Sequence, residues 1–253
     1  HTGGINIAAT KKRWDVLRYE HGRHKVTGID SQLIGPNDIR DLCPIIDTKG
    51  VLGALYDGNE GHVDPYGATH ALVKSAQLAG AEVYLNTKVE DLVHKSDGMW
   101  TVITDKANIN CEHIVNAAGL WAREVGSMAG VHVPIVPMEH HYLLTGDIDE
   151  IVQFDSELPI MIDLDGEIYL RQEQNGVLLG IYEQNSTPWS LEGTPWDYGQ
   201  NDLLATRLED LESGLLNGFT RYPLVAEAGI RKIVNGPFTF APDGNPLVGP
   251  IRG

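Results

Sequence analysis

The stretch CEHIVNAAGLWAREVG, residues 111–126, is the most informative part of this chain about its fold class. Ile114 and Val115 are β-branched and predict a buried strand, and the small residues 117–119 follow at its carboxyl end. Trp121 then opens an amphipathic helix. An open α/β sheet presents a ribose or a pyrophosphate to backbone N–H groups at such a strand–glycine–helix turn. A tight connection that needs small residues only for packing explains the same spacing equally well.

The sequence upstream of this turn predicts a helix, a strand and a hairpin. Asp64 is a good N-cap, Pro65 a good first helical residue and Gly80 a good end for the helix. A strand at 82–86 follows, and a hairpin then joins 89–93 to 100–103. The helix has a face of small residues that suits close packing on a sheet: Ala68, Ala71, Leu72, Ser75 and Ala79.

The segments before and after this middle region have their own predicted elements. Residues 5–9 predict a short strand, and a helix capped by Asn37 or Asp38 is expected to end before Pro44. After Pro134 the pattern changes to long antiparallel strands, which predict a broad substrate-binding sheet. The later elements are strands at 135–145, 166–172 and 177–182, with Gly176 in the last turn, and a charged helix from about Asp202 to Leu216.

Composition and charge argue against several classes of function. The 253 residues are 42% hydrophobic and 21% charged, as in ordinary globular chains. The formal net charge is −16, which disfavours binding to nucleic acid or anionic lipid, and no apolar run has membrane-spanning length. Cys43 and Cys111 lie far apart and predict free thiols in a reducing compartment. No HExxH sequence accompanies the ten histidines, so we expect no metal site.

The phosphate-binding loop of a nucleotide enzyme is not found in these residues. Neither G-x-G-x-x-G nor G-x-x-x-x-G-K-[ST] occurs, so such a loop is expected elsewhere in the protein. The chain also begins at His1 without a methionine. We therefore expect it to be an internal piece of a longer protein.

Five segments, in this order and spacing, resemble the flavin-dependent dimethylglycine and sarcosine dehydrogenase family, within the D-amino-acid-oxidase-like amine oxidoreductases. They are GHVDPYGATHALVKSAQLAGA (61–81), IVNAAGLWAREVG (114–126), PMEHHYLLT (137–145), LDGEIYLRQEQNGVLLGIYE (164–183) and NGPFTFAPDGNPLVGP (235–250). The resemblance covers nearly the whole chain. Five ordered segments are far more specific than any one of them.

The resemblance implies an α/β chain that is part of a two-dinucleotide-binding flavoprotein fold with a large antiparallel substrate-binding sheet. It implies FAD as the cofactor and oxidative demethylation of an N-methyl amino acid, dimethylglycine or sarcosine, by hydride transfer to the flavin. The iminium product is then hydrolysed or captured by tetrahydrofolate, whose binding region lies outside this chain. Expected partners are a small-molecule amine and an electron acceptor, either an electron-transfer flavoprotein or oxygen. We expect no nucleic acid or membrane partner, and a bacterial cytoplasmic or mitochondrial matrix location.

The resemblance also divides the chain. Residues 1–60 are expected as a substrate-domain segment and connector, and 61–133 as a segment of the FAD-binding domain that lacks its G-x-G-x-x-G unit. Residues 134–233 are expected to form the substrate-binding domain. The last segment, 234–253, is expected as a strand that returns toward the FAD-binding domain.

On the cofactor side, the resemblance assigns contacts to backbone groups. It places Val89 where family members contact adenine through the main chain. It makes the turn of Asn116, Ala117, Ala118 and Gly119 an FAD-facing backbone. Both assignments require only exposed N–H and C=O groups with small neighbours.

On the substrate side, alternation along the predicted strands selects the candidates. His140 and Tyr142 share one face of a strand and match a His-x-Tyr pattern of the family, so we expect them to be catalytic. Tyr169 and Arg171 share a face of another strand, and Arg171 can hold a substrate carboxylate through two parallel hydrogen bonds. Tyr182 is expected as a further substrate-binding residue.

Each assignment has an alternative. A lone strand histidine or tyrosine is often a satisfied core residue, and Arg171 can instead pair with Glu167, Glu173 or Glu183. Two rival functions also fit the resemblance. One is a non-catalytic relative of the same fold, like the regulatory subunits of a phosphatase, and the other is a different amine or amino-acid oxidase of the superfamily.

Overall fold

The computed structural model describes residues 1–199 and 203–251, and these residues form eleven strands and seven α-helices. The strands are β1 (Gly4–Ala8), β2 (Ser31–Ile34), β3 (Gly53–Asp57), β4 (Val89–His94), β5 (Trp100–Thr104), β6 (Asn108–Cys111), β7 (Val136–Thr145), β8 (Ile160–Asp163), β9 (Ile168–Glu173), β10 (Gly176–Ile181) and β11 (Ile230–Phe240). The helices are α1 (Lys11–Thr27), α2 (Pro36–Leu42), α3 (Pro65–Leu78), α4 (Ala122–Met128), α5 (Asp149–Val152), α6 (Glu212–Arg221) and α7 (Pro223–Glu227). Within the described residues, every helix is too short or too polar to span a lipid bilayer.

The chain divides into two compact units. The first contains residues 1–63, 140–186 and 203–236, and the second contains 64–139, 187–202 and 237–253. The large sheet has eight strands in the order β11-β7-β10-β9-β8-β1-β3-β2. Its pairs β7–β10, β10–β9 and β9–β8 are antiparallel, as expected, whereas β1 joins β8 in parallel.

The main core of the first unit lies on one face of this sheet, and Ala8, Leu55 and Leu17 of α1 form a smaller, separate cluster. Along β9, Ile168 and Leu170 are fully buried while Tyr169 and Arg171 point to the opposite face and stay half-buried. Helix α6 covers the core face of β10 at close range. Side-chain atoms of Leu179 and Ile181 occupy the space that a β-carbon at Gly218 or Gly214 would need, so the helix can lie this close only with glycine at both positions.

The second unit contains a three-stranded sheet, in the order β4-β5-β6, with α3 and α4. The predicted boundaries of α3 are confirmed, because Oδ2 of Asp64 accepts the N–H of Gly67 at 2.6 Å and Pro65 is the first helical residue. Gly80 ends this region with a φ of 97°. The predicted hairpin is confirmed as β4 and β5.

The predictions of two strands in the second unit are wrong. Residues 82–86 and 114–118 have no regular secondary structure, and Val115 is 87% exposed. The predicted small-residue face of α3 does not pack on a sheet either, because no α3 side chain is buried. A strand needs a hydrogen-bonded neighbour, and among the described residues these segments have no partner strand.

Three smaller predictions are also corrected. The charged helix begins at Glu212 rather than near Asp202, which lies outside the described residues. Gly176 is the first residue of β10, and the left-handed turn position is Gln174, with a φ of 57°. The N-cap of α2 is Gly35, whose N–H donates to Oδ2 of Asp38 at 2.9 Å.

Candidate functional site

Three neighbouring strands place the predicted substrate-side residues on one face of the large sheet. Gly180 of β10 is paired with Tyr142 of β7 on one side and with Tyr169 of β9 on the other. Directly opposed residues share a face, so Tyr142 and Tyr169 lie on the same side of the sheet. Arg171, two residues after Tyr169, is on this face as well.

The rings on this face form a cluster that we call the aromatic face, consisting of His140, Tyr142, Tyr169 and Tyr182. Ring centroids of Tyr169 and Tyr182 are 5.2 Å apart, and the His140 ring lies 6.3 Å from the first and 6.4 Å from the second. The Tyr169 ring lies over the α-carbon of Gly180, in the space that a β-carbon would occupy. Four of the five predicted substrate-side residues are therefore brought together.

Glu183, just beyond the end of β10, connects this cluster to the sheet. Its side chain is only 4% exposed. One carboxylate oxygen lies 2.8 Å from Nδ1 of His140, while the other lies 3.0 Å from Nδ1 of His141 and accepts the backbone N–H of His141 at 2.7 Å. Burial raises the pKa of Glu183, but the hydrogen bonds from the two histidines lower it more, to about 2. The carboxylate is therefore ionised at neutral pH.

Glu183 was not predicted as a site residue. The sequence offered it only as an ion-pair partner of Arg171, whereas its partners are His140 and His141. One signal pointed to it. Alternation puts His141 on the opposite side of β7 from His140, and a buried imidazole there, 1% exposed, requires a polar partner.

The Tyr169 hydroxyl is the second partner of His140. Its Oη lies 3.5 Å from Nε2 of His140. Burial raises the pKa of Tyr169 to about 12, and the nearby Tyr182, Glu183 and Tyr142 add to the shift. The phenol therefore keeps its proton at neutral pH and has the right chemistry to donate it to the imidazole.

Arg171 is placed on the predicted face, but it has an acidic neighbour. Its Nη1 lies 2.7 Å from Oε2 of Glu173 and donates to the carbonyl of Gln172 at 3.1 Å. Both side chains of the ion pair are about 30% exposed. The alternative of an ion pair within the strand is thus present, with Glu173 as the partner.

The predicted cofactor-side residues lie in the second unit. Residues 116–118 are followed by a 3-10 turn at Gly119–Trp121 and then by α4. Asn116 orders this turn, because its Oδ1 accepts the N–H of Ala118 at 3.2 Å and its Nδ2 donates to the carbonyl of Ala122 at 2.8 Å. Val89 begins β4 beside a bulge in the pairing with β5.

This turn fits a ligand that approaches the backbone. Gly119 has a φ of 55°, a left-handed conformation that favours glycine, and no atom lies within 4 Å of the position that its β-carbon would take. Asn116, Ala117 and Gly119 are exposed and Ala118 is half-buried. Open backbone with small side chains is compatible with a flavin nucleotide.

Other potential sites do not include these residues. A shallow cavity of about 350 Å³ lies beside Pro44 and Pro223 of the first unit, and no residue of the aromatic face lines it. In the part of the chain that the structure describes, no three His, Cys, Asp or Glu side chains are grouped closely enough to hold a metal ion.

Comparisons with known proteins identify the family of this chain. The sequence profile of the family described as FAD dependent oxidoreductase matches residues 1–253. The chain is 37% identical over 256 residues to mitochondrial dimethylglycine dehydrogenase of Homo sapiens, a match that covers 99% of this chain and 29% of that protein. It is also 34% identical over 250 residues to the mitochondrial pyruvate dehydrogenase phosphatase regulatory subunit of Mus musculus, covering 98% and 28% respectively. The chain thus spans less than a third of the length of these relatives.

The fold is also similar to that of a solved structure. The crystal structure of L-proline dehydrogenase from P. horikoshii superposes with a TM-score of 0.82 at 24% sequence identity. The superposition covers 99% of this chain and 63% of that one.

Proposed function

Because the chain belongs to the FAD dependent oxidoreductase family, we propose that it is part of an enzyme that oxidatively demethylates an N-methyl amino acid, dimethylglycine or sarcosine. The observation that carries this proposal is the hydrogen-bonded sequence Glu183–His140–Tyr169 on the aromatic face. Such an arrangement can take up a proton beside an amine.

The chemistry requires a neutral amine. FAD, when bound, supplies the acceptor for the hydride that leaves the N-methyl carbon. An amino acid with a methylated nitrogen is protonated at neutral pH, and an ammonium has no lone pair to stabilise the developing iminium. The protein must therefore remove one proton from nitrogen before the hydride can leave.

The aromatic face has groups for this step. Tyr169 keeps its own proton, since its pKa is raised to about 12, and Oη lies 3.5 Å from Nε2 of His140. The substrate proton can pass to Oη while the phenol proton passes to Nε2. The rings of Tyr142, Tyr169 and Tyr182 also present π faces that attract a cationic ammonium on arrival and restrict water around it.

Arg171 is proposed to bind the substrate carboxylate. Nη1 is engaged by Glu173 and the carbonyl of Gln172, while a guanidinium carries five N–H donors. A substrate carboxylate would then share Arg171 with Glu173. This arrangement would hold the amine end of the substrate along the same sheet face as the rings.

The cofactor side is proposed to consist of backbone groups. Val89 would contact the adenine through its main chain, and the turn of Asn116, Ala117, Ala118 and Gly119 would face the flavin nucleotide. The open space at Gly119 supports the second assignment. An electron-transfer flavoprotein or oxygen would reoxidise the cofactor, tetrahydrofolate would bind outside this chain, and the enzyme would work in a bacterial cytoplasm or a mitochondrial matrix.

Flavin reduction by candidate substrates tests the proposal. Dimethylglycine or sarcosine should bleach the flavin of the purified holoprotein in an anaerobic stopped-flow experiment. Tyr142→Phe, which removes one hydroxyl from the aromatic face, should lower kcat/KM about 10- to 100-fold, on the order of 1.4 to 3 kcal/mol. Its melting temperature should scarcely change.

The opposite result identifies a core tyrosine. A variant with a lowered melting temperature and normal reduction kinetics would remove Tyr142 from the site. Tyr222→Phe is the matched control, because Tyr222 is 1% exposed in the core of the first unit. That substitution should affect stability and leave reduction unchanged.

A non-catalytic regulatory role is the second candidate. It is favoured by the 34% identity to a phosphatase regulatory subunit over 98% of the chain. The same stopped-flow experiment separates the two functions. A holoprotein whose flavin is reduced by none of dimethylglycine, sarcosine or other N-methyl amino acids, but is bleached by dithionite, would refute the enzymatic proposal.

A further inference from the structure

Glu183 makes more contacts than an ion pair requires. Its Oε2 lies 2.8 Å from Nδ1 of His140, and its Oε1 receives both the backbone N–H and Nδ1 of His141. An ionised carboxylate only accepts hydrogen bonds, so Nδ1 of each imidazole bears a hydrogen. One side chain thereby sets the orientation of two successive rings.

The far side of each ring has a different environment. Nε2 of His141 accepts the backbone N–H of Arg207 at 3.4 Å, so both nitrogens of this buried ring have hydrogen-bond partners within the protein. Nε2 of His140 instead lies 3.5 Å from the hydroxyl of Tyr169, on the aromatic face. His140 is therefore the ring of the pair that faces the proposed substrate.

We propose that Glu183 is a positioning residue that holds His140 in the tautomer with hydrogen on Nδ1, so that Nε2 accepts the substrate proton through Tyr169. This inference rests on the proposed function, because the proton is that of the substrate ammonium. The N–H proton of the ammonium moves to Oη of Tyr169 as the phenol proton moves to Nε2 of His140. No electrons are exchanged in this step, the amine becomes neutral, and the imidazolium that forms lies against the Glu183 carboxylate.

A purely structural role for Glu183 predicts other results. The backbone pairing of β7 with β10 ends at Tyr142 and Gly180, and Glu183 joins the two strands beyond that point. As a strand clamp, Glu183 would affect stability and would have no specific effect through His140. The two roles are separated by Glu183→Gln.

The geometry fixes how a glutamine would sit at this position. The backbone N–H of His141 cannot become an acceptor, so the amide oxygen must take the place of Oε1. The amide NH₂ then takes the place of Oε2 and faces His140, which forces Nδ1 of His140 to accept and moves the ring hydrogen to Nε2. The variant thus reverses the tautomer with little change in shape.

The kinetic test uses the flavin-containing protein. Glu183→Gln should lower the limiting rate of flavin reduction by dimethylglycine roughly 10- to 100-fold, by analogy with partners that orient metal-bound histidines. Trimethylglycine has the same carboxylate but no nitrogen lone pair and is not oxidised. Its dissociation constant, read from the flavin absorbance, should change less than about threefold. Glu167→Gln is the matched control, because that carboxylate contacts the side chain of Gln184 and should leave both values unchanged.

A double-mutant cycle shows whether Glu183 acts through His140. In a His140→Asn background, Glu183→Gln should have no further effect on the reduction rate, although its effect on the melting temperature should persist. Equal rate losses in the two backgrounds would overturn the positioning role and leave the strand clamp.

The tautomer itself can be measured without substrate. In protein labelled with ¹⁵N-histidine, NMR chemical shifts distinguish a ring nitrogen that bears hydrogen from a bare one, and the His140 signals are those lost in His140→Asn. We expect hydrogen on Nδ1 in the wild type and on Nε2 in Glu183→Gln, and the same tautomer in both proteins would overturn the inference. If no N-methyl amino acid reduces the flavin, the proposed function fails while this measurement still decides the role of Glu183.

Discussion

Replacing Gly180 by alanine should displace the Tyr169 ring and slow the proposed flavin reduction, while the backbone fold is kept. Gly180 has an ordinary φ, so alanine introduces no backbone strain. Its methyl group, however, would overlap Cζ, Cε1 and Oη of Tyr169. Strand β10 is buried along its whole length and packs against α6, so its backbone has little room to retreat. The ring must move instead.

The size of the effect follows from these contacts. Overpacking of this kind costs about 1–3 kcal/mol, and displaced ring contacts with Tyr182 and His140 add to it. A loss of about 2 kcal/mol lowers the melting temperature of a chain of this size by roughly 4–8 °C. Because Oη leaves Nε2 of His140, the limiting rate of flavin reduction should fall at least tenfold, or about 1.4 kcal/mol.

Thermal melting and anaerobic stopped-flow reduction measure the two effects. Gly236→Ala is the matched control, since Gly236 is also in a strand and no atom lies within 4 Å of its β-carbon position. In a Tyr169→Ala background the overlap is absent, so Gly180→Ala should cost almost no stability there. An equal loss of stability in both backgrounds would contradict the overlap between this methyl group and the Tyr169 ring.

Two further predictions concern Glu183 and Gly119. The pKa of Glu183 is held at about 2, compared with an ordinary value of 4.5. The ionised carboxylate therefore contributes at most about 3 kcal/mol to the free energy of unfolding. This contribution is present above pH 4.5 and is lost as the pH falls toward 2. Glu183→Gln should therefore flatten the melting-temperature profile in that interval, and an unchanged slope would contradict the low pKa. At Gly119, asparagine tolerates the left-handed φ of 55° better than valine by about 1 kcal/mol. If the cofactor approaches this backbone, Gly119→Asn and Gly119→Val should lose the flavin equally, as read from the flavin-to-protein absorbance ratio, whereas retention in the asparagine variant alone would reduce the role of Gly119 to turn geometry.

Strand alternation was the most informative property of the sequence. It separated His140 and Tyr142 from His141, and Tyr169 from the buried Ile168, because successive side chains of a strand point to opposite faces. The sequence could not predict that Gly180 would lie between Tyr142 and Tyr169. That adjacency depends on which strands pair, and pairing is decided by contacts between residues far apart in the chain.

Local reasoning failed where a partner was distant or absent. The sequence names Glu183 only as one of three alternative ion-pair partners of Arg171, because charged neighbours are the simplest partners. Its carboxylate oxygens instead accept hydrogen bonds from His140 and His141, more than 40 residues away. The segments at 82–86 and 114–118 have strand-forming residues but no partner strand among the described residues. Helix caps such as Asp64 were predictable because their hydrogen bonds close within three residues.

Gly180 constrains how the ring side chains of the aromatic face can vary among relatives. The Tyr169 ring occupies the volume that any side chain at 180 would need, whereas the neighbours Leu179 and Ile181 are anchored in the core on the other side of β10. Substitutions at the rings can therefore accumulate without disturbing the core, provided that the glycine is kept. Relatives that prefer a different amine should vary at Tyr142 or Tyr182 while retaining Gly180. A relative that lacks Gly180 should also have another residue in place of Tyr169.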